Sequence, residues 1–149
     1  MLTSKEEVLP PTITIDTKLK YSAGAGILLD GNYGSNAWTD GCWNGSEGTD
    51  MQIVVDYKER KTFDGVTLGF NRNMNSGVCP PSSVTYYVSD DGVTYTEAGS
   101  ITITTDVQSE YDNRGTTGEV VRTTAVFDKA VSGQYLKAVV KNPGTYQRP

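Results

Sequence analysis

The chain has 149 residues, a net charge of −5 and 36% hydrophobic residues, a composition typical of a soluble globular domain. The negative charge argues against nucleic acid and against an anionic membrane surface as partners. The chain contains no histidine, which excludes Ser-His-Asp and Cys-His catalysis and every histidine-containing metal site. A length of 149 residues is enough for one domain with its own core, so we expect a single domain over residues 1–149. No apolar run approaches the ~18 residues of a membrane span, so we expect no membrane insertion.

The first eleven residues are polar and carry two glutamates. Residues 4–9 are predicted to form one capped helical turn, which Pro10 and Pro11 end. The basic and then apolar pattern of a secretory signal is not present in this stretch. We therefore expect residues 1–11 to be a leader or linker, either in a cytosolic protein or in a domain of a longer secreted chain.

The rest of the chain is dominated by short segments in which apolar and polar residues alternate. Turns rich in Gly, Asp, Asn and Pro separate them, and this pattern predicts short strands of an antiparallel sandwich or barrel. The predicted strands are residues 51–57, 65–70, 83–89, 100–104, 119–127 and 134–141.

Two connections between these strands have recognisable chemistry. Asp91-Gly92, between alternating strands, is a strong signal for a β-hairpin. A calcium loop is the weaker alternative there, because the twelve-residue EF-hand pattern does not follow. Residues 108–119 are predicted to be a long polar loop, which contains Tyr111 and Arg114. Long loops in compact domains are usually functional or mobile.

The two cysteines, Cys42 and Cys79, are far apart and do not form a CxxC motif. They are candidates for a disulfide, and two buried thiols are the alternative.

Carboxylates at residues 40, 47, 50 and 56 are candidates for a pair that acts as general acid and general base in catalysis. Acidic residues in glycine-rich loops are more often turn formers that accept backbone N–H groups, so we expect no catalytic site.

Aromatic residues cluster in the most turn-prone part of the chain, where Tyr33, Trp38 and Trp43 lie. One interpretation is an exposed platform for the apolar face of a sugar ring. The alternative is a tryptophan that closes one end of the sandwich. Residues 71–75 supply the polar groups that sugar hydroxyls need, with Arg72 flanked by Asn71, Asn73 and Asn75.

Oxygen-bearing residues are also concentrated at positions 30–36. Asp30, Asn32, Ser35 and Asn36, with backbone carbonyls, resemble the bent oxygen-rich loop that Ca²⁺ prefers. An ordinary Asx-turn at Asp30-Gly31 explains the same residues.

Residues 28–70 and 81–100 together resemble a discoidin domain, also called a coagulation factor V/VIII type C domain. Within this family, the sequence most resembles the family 32 carbohydrate-binding modules attached to bacterial family 20 β-N-acetylhexosaminidases (chitobiases). The resemblance spans residues 20–142. Residues 134–142 match a late strand of the family. The other matching positions are Asp30-Gly31, then Trp43, Gly45, Gly48 and Asp50, then residues 54–57, Pro81, Val84, Ser89, Asp91, Gly92 and Tyr95.

This resemblance implies an all-β, eight-stranded jelly-roll sandwich that binds glycans through loops at one end. It implies a structural calcium held by Asp30, Asn32 and Ser35. It also implies a glycan site that includes Trp43, with Glu47 and Asp50 nearby, and the loop that contains Arg72. The full set of glycan-binding candidates is Tyr33, Trp38, Trp43, Glu47, Asn71, Arg72, Asn75 and Tyr111. Trp43 belongs to a recurrent motif of the family and is alternatively a framework residue, which leaves Trp38 freer to meet a ligand.

The family's closing strand carries an acidic residue that helps to hold calcium, and residues 142–149 do not match it. We expect an open sheet edge there. The predicted function is a non-catalytic module of a secreted, periplasmic or cell-surface bacterial glycoside hydrolase, covalently linked to its catalytic domain. Its predicted partner is an N-acetylglucosamine- or galactose-containing glycan. The alternative is a structural or protein-interaction domain without glycan affinity.

Overall fold

The computed structural model describes residues 9–17, 19–29, 34–35, 37, 39 and 43–148. The strands are β1 Thr12–Ile15, β2 Met51–Arg72, β3 Ser83–Ser89, β4 Thr96–Thr102 and β5 Glu119–Lys141. One α-helix, α1, spans Val107–Asp112, and short 3₁₀ helices span Ala25–Leu29 and Met74–Ser76. Across the described part of the chain, no helix is long and apolar enough to cross a membrane.

The strands hydrogen-bond in the order β1-β2-β5-β3-β4, and every pairing is antiparallel. This confirms the antiparallel pairing expected from the alternating segments. The predicted strands 51–57 and 65–70 are two parts of the continuous β2, and 119–127 and 134–141 are two parts of β5. Residues 100–104 were predicted as a strand, but β4 starts earlier and ends at Thr102.

Strands β2 and β5 are long because each consists of two parts, which an irregularity in the pairing separates. The pairing register shifts between Asp56 and Lys61. Lys58, inside that shift, has a φ of 64°, which is strained for a residue with a side chain. The Asp56 carboxylate accepts the Lys58 backbone N–H at 2.8 Å and so stabilises the bulge. Bulges of this kind bend a strand and increase its twist.

The two parts of these strands form the two layers of a sandwich. Residues 53–56 of β2 pair with both β1 and β5, whereas residues 65–72 pair only with the first part of β5. Side chains of both parts meet in one core, with Ile53 and Leu136 on one side and Ala125 and Phe127 on the other. Burying these side chains is the main favourable term in folding. The structure is therefore the antiparallel jelly-roll β-sandwich that the sequence predicted.

The β3–β4 hairpin is present where Asp91-Gly92 predicted it. Its connection is longer than two residues, because β3 ends at Ser89 and β4 begins at Thr96. The Asp91 carboxylate accepts the backbone N–H groups of Thr94 and Val93 and the Ser89 hydroxyl. These hydrogen bonds lower the pKa of Asp91 below its ordinary value, since they favour the charged form.

Residues 108–119 differ from the sequence-based expectation of a polar loop. They begin with most of α1, whose N-cap is Asp106: its carboxylate accepts the Ser109 N–H at 3.0 Å. Six residues are too few to show helical periodicity, so only the cap could have indicated the helix. β1 was also not predicted, because four residues carry little pattern. Residues 4–8 of the turn predicted at 4–9 lie outside the described residues.

Candidate functional site

A cavity of about 620 Å³ lies beside the sandwich core. Its floor is apolar and is formed by core side chains that include Met51, Leu68, Phe70 and Val140. Its walls include three connecting segments, namely residues 43–49, 76–79 and 142–146. These segments adjoin both ends of β2 and the end of β5, so the cavity exists because β2 folds back into the second layer.

The structure brings three of the predicted glycan-binding residues to this cavity: Trp43, Glu47 and Asn71. Arg72, Asn75 and Tyr111 do not line it. Tyr33 and Trp38, the other two candidates, lie outside the described residues. The described part of the predicted site is therefore divided between the cavity and its surroundings.

Trp43 contributes its ring to the cavity lining and is half-buried. Its indole N–H is buried and has no hydrogen-bond acceptor in the described structure. A buried unpaired donor costs roughly 1–3 kcal/mol. The next residue anchors the loop, because the Asn44 side chain accepts the Ala23 N–H at 2.9 Å and donates to the Gly24 carbonyl at 3.0 Å.

Glu47 lies at the mouth of the cavity, where its carboxylate forms an ion pair with the Lys20 ammonium. The side chains of Lys20 and Glu47 are 47% and 69% exposed. The hydrogen bond to Glu47 raises the pKa of Lys20 above its ordinary value. Exposed ion pairs add little to stability, so both groups remain available to a ligand's hydroxyls.

Asn71 is buried at the end of β2, with 6% of its surface exposed. Its side-chain amide donates to the Ser35 carbonyl at 3.3 Å. Asn71 therefore connects the cavity wall to the oxygen-rich segment for which calcium binding is predicted.

Arg72 has a different environment from the one that diol recognition requires. Its guanidinium donates to both oxygens of Glu110, at 2.8 and 3.1 Å, and to Glu119 at 2.6 Å. Burial would lower the pKa of Arg72, but the hydrogen bonds to Glu119 and Glu110 outweigh it and raise the pKa. Arg72 therefore fastens α1 and the start of β5 to the end of β2.

Tyr111 is 7% exposed and belongs to a small second core with Met74 and Val107. Its ring stacks on Tyr146 with the centroids 4.6 Å apart, and the Arg114 guanidinium lies 4.1 Å from the Tyr111 centroid. Tyr111 consequently supports the cavity wall from behind through Tyr146. Asn75 is exposed in the 3₁₀ helix Met74–Ser76.

The residues that sequence reasoning missed are at the rim. Tyr146 lines the cavity in the segment after β5, and Tyr21 lines it in the segment before the first 3₁₀ helix. The Asp50 carboxylate holds one end of the last segment through the Asn142 N–H at 2.8 Å. Gln108 holds its other end with two hydrogen bonds to the Gln147 backbone, at 2.7 and 3.2 Å. No local motif marks Tyr21, Tyr146 or Gln108. Asp50 belongs to the motif shared with the family, but its partner Asn142 is distant in sequence.

Cys79 is a free thiol in the structure, but the Cys42–Cys79 disulfide stays a prediction because only one of its two cysteines is described. Burial is the largest influence on this thiol and raises its pKa to about 11. A thiol with so high a pKa is a weak nucleophile at neutral pH. Cys42 itself lies outside the described residues.

Of the three predicted calcium ligands, the structure describes Ser35, whereas Asp30 and Asn32 lie outside the described residues. The hydroxyl of Ser35 accepts the Ala37 N–H at 3.2 Å, and its carbonyl accepts the Asn71 amide. One residue does not make a shell of six to eight oxygens. Elsewhere in the described ranges, no group of three or more His, Cys, Asp or Glu could hold a metal. The calcium site stays a prediction for residues 30–36.

Taken together, the fold and the cavity define a small β-sandwich module with a ligand-sized site between its connecting segments. The chain belongs to the F5/8 type C (discoidin) domain family, which it matches over residues 12–148. Among curated proteins, none matches the chain at a significant level.

Solved structures with the same fold include family 32 carbohydrate-binding modules. The C-terminal domain of a chitobiase from Bacteroides fragilis is 19% identical with a TM-score of 0.57, over 90% of this chain and 83% of that one. A family 32 module from Clostridium perfringens, in complex with galactose, is 11% identical with a TM-score of 0.54, over 89% and 82%. A fucolectin from Morone saxatilis is 21% identical with a TM-score of 0.62, over 89% and 42%.

Proposed function

We propose that this chain is a non-catalytic carbohydrate-binding module. The observation that carries the proposal is the cavity of about 620 Å³, in which aromatic rings and hydrogen-bonding side chains surround an apolar floor. Sugar rings present C–H faces that contact aromatic rings and hydroxyl groups that need polar partners. The volume lies within the roughly 300–1,000 Å³ of small-molecule sites.

The carboxylates support a binding role rather than catalysis. Glycoside hydrolysis requires two carboxyl groups that flank the scissile bond. Glu47 is the sole carboxylate among the described residues that line the cavity, and it is paired with Lys20. Asp50 accepts the Asn142 N–H, and Asp56 interacts with Lys58 and Gln134. Asp40 lies outside the described residues.

The proposal extends to the protein in which this module works. Its likeness to a chitobiase C-terminal domain supports attachment to a bacterial glycoside hydrolase, and within that class we favour a β-N-acetylhexosaminidase. The module would then keep a secreted or surface-bound enzyme close to N-acetylglucosamine- or galactose-containing glycans. Binding of one sugar should be weak, because a small ligand buries little area.

Isothermal titration with N-acetylglucosamine, N-acetylgalactosamine, galactose and fucose tests the proposal. We expect at least one of them to bind with millimolar affinity, and Tyr146→Ala to weaken that binding about ten-fold, because it removes an aromatic wall. Tyr87→Ala is the matched control, since Tyr87 is also half-buried but contacts Lys137 away from the cavity. If none of the four sugars gives a heat of binding, the proposal is overturned and a structural domain that only supports its enzyme is favoured.

A further inference from the structure

Tyr21 stands at the solvent end of the cavity. Its surface is 48% exposed, whereas the other aromatic rings in the lining, those of Trp43, Phe70 and Tyr146, are only partly exposed. The aromatic rings therefore extend from the interior of the cavity to its outer rim. A ligand that occupied only the interior would leave the Tyr21 ring in water.

The position of Tyr21 is fixed by its backbone. Gly45 donates its N–H to the Tyr21 carbonyl at 2.8 Å, and its own carbonyl accepts the N–H groups of Lys20 and Tyr21 at 2.8 and 3.1 Å. The Asn44 side chain holds Ala23 and Gly24 in the same way. These contacts join two segments about twenty residues apart, so a ligand would not have to order the rim on binding.

Charged groups complete this rim beside the tyrosine ring. The Lys20 ammonium is 5.8 Å from the centre of the Tyr21 ring and is paired with Glu47. An ammonium only donates hydrogen bonds and a carboxylate only accepts them. The pair therefore offers one donor and one acceptor next to an exposed aromatic face, which is the combination that neighbouring sugar hydroxyls require.

The size of the cavity indicates how much of a ligand can be held. Sites of roughly 300–1,000 Å³ enclose drug-sized molecules, and a single hexose ring is smaller than these. We propose that the site recognises an oligosaccharide, with one sugar residue in the cavity and the next one on a rim subsite formed by Tyr21, Lys20 and Glu47. This inference rests on the proposed carbohydrate-binding function and names the ligand class of the same site.

Chain-length dependence of binding tests the rim subsite. Titrations would compare N-acetylglucosamine with its β-1,4-linked dimer and trimer, and galactose with lactose. For wild-type protein we expect the better disaccharide to bind about five-fold more tightly than its monosaccharide, as one added aromatic contact allows. Tyr21→Ala should reduce that ratio to about two-fold or less, whereas Tyr21→Phe, which keeps the ring, should preserve it.

The ion pair provides a second, independent variant. Glu47→Gln should reduce disaccharide affinity, and Glu59→Gln is its control, because the Glu59–Lys61 pair is similarly exposed but lies outside the cavity lining. The inference is overturned, with the proposed function intact, if monosaccharides bind as tightly as disaccharides or if Tyr21→Ala keeps the chain-length gain. Absence of binding to every sugar would overturn both together.

Discussion

The β3–β4 connection and the rim of the cavity are both rich in turn-forming residues, but they are held in different ways. In the connection, the side chains of Ser89 and Asp91 bond to backbone N–H groups no more than three residues away. At the rim, Gln108 holds Gln147 from 39 residues away, and Asp50 holds Asn142 from 92 residues away.

This difference shows which region can be changed without affecting the other. A locally bonded turn forms with its own strands and should tolerate changes elsewhere. A rim that is held by distant side chains depends on the whole sandwich being folded first, since loop closure must precede those contacts. Substitutions in the two regions should therefore have separable consequences for stability and for ligand binding.

The largest effect is expected at Arg72, which fastens α1 and β5 behind the rim. Arg72→Met should lower the free energy of unfolding by about 2 kcal/mol. This is less than the ~3–5 kcal/mol of fully buried pairs, because the Arg72 and Glu110 side chains keep 29% and 20% exposure. Urea unfolding followed by circular dichroism measures the change.

Arg60→Met is the matched control for Arg72, because Arg60 pairs with Asp90 at 3.4 Å and both side chains are about 70% exposed. It should change stability by less than ~1 kcal/mol. Equal losses in the two variants would contradict the structural role of Arg72. If the Arg72→Met variant stays folded but loses most of its affinity for sugar, Arg72 would instead have a direct role in ligand binding.

A smaller effect is expected at the hairpin connection. Ser89→Ala should cost about 1–2 kcal/mol, since Ser89 is buried, with 4% of its surface exposed, and its hydroxyl accepts the Gly92 N–H at 2.9 Å. Amide chemical shifts should change within residues 89–95 and leave the cavity unaffected. Ser100→Ala, at an exposed position of β4, is the control, and shifts at residues 43–49 would show that the two regions are coupled.

The smallest change in stability is expected at the rim itself. Gln108→Ala removes both hydrogen bonds to Gln147 and should cost only about 0.5–1 kcal/mol, because these groups are exposed. Hydrogen exchange of the Gln147 amide should nevertheless become faster, and sugar affinity should fall several-fold as Tyr146 loses its position. Gln52→Ala, on an exposed face of β2, should do neither. Unchanged sugar affinity in Gln108→Ala would mean that the rim keeps its position without the two hydrogen bonds from Gln108 to Gln147.

The sequence by itself determined the class of fold and most of the strands. Alternation of period two is a local property, so it predicted an antiparallel sandwich or barrel and located parts of β2, β3, β4 and β5. The resemblance to the discoidin family then specified the sandwich. The Asp91-Gly92 pair predicted the hairpin for the same reason. The six-residue helix α1 and the four-residue β1 escaped prediction, because elements this short contain too little pattern.

Only the tertiary structure decided what the polar and aromatic candidates do. Residues 71–75 read as a set of free polar groups, but Arg72 is bound by Glu110 and Glu119, which lie 38 and 47 residues further along the chain. Tyr111 supports Tyr146 from behind, while Trp43 and Glu47 face one cavity with Tyr21. The sequence gives the chemical type of each side chain. Which side chain a charge pairs with, or which ring another ring contacts, depends on the distant strands that the bend in β2 brings together.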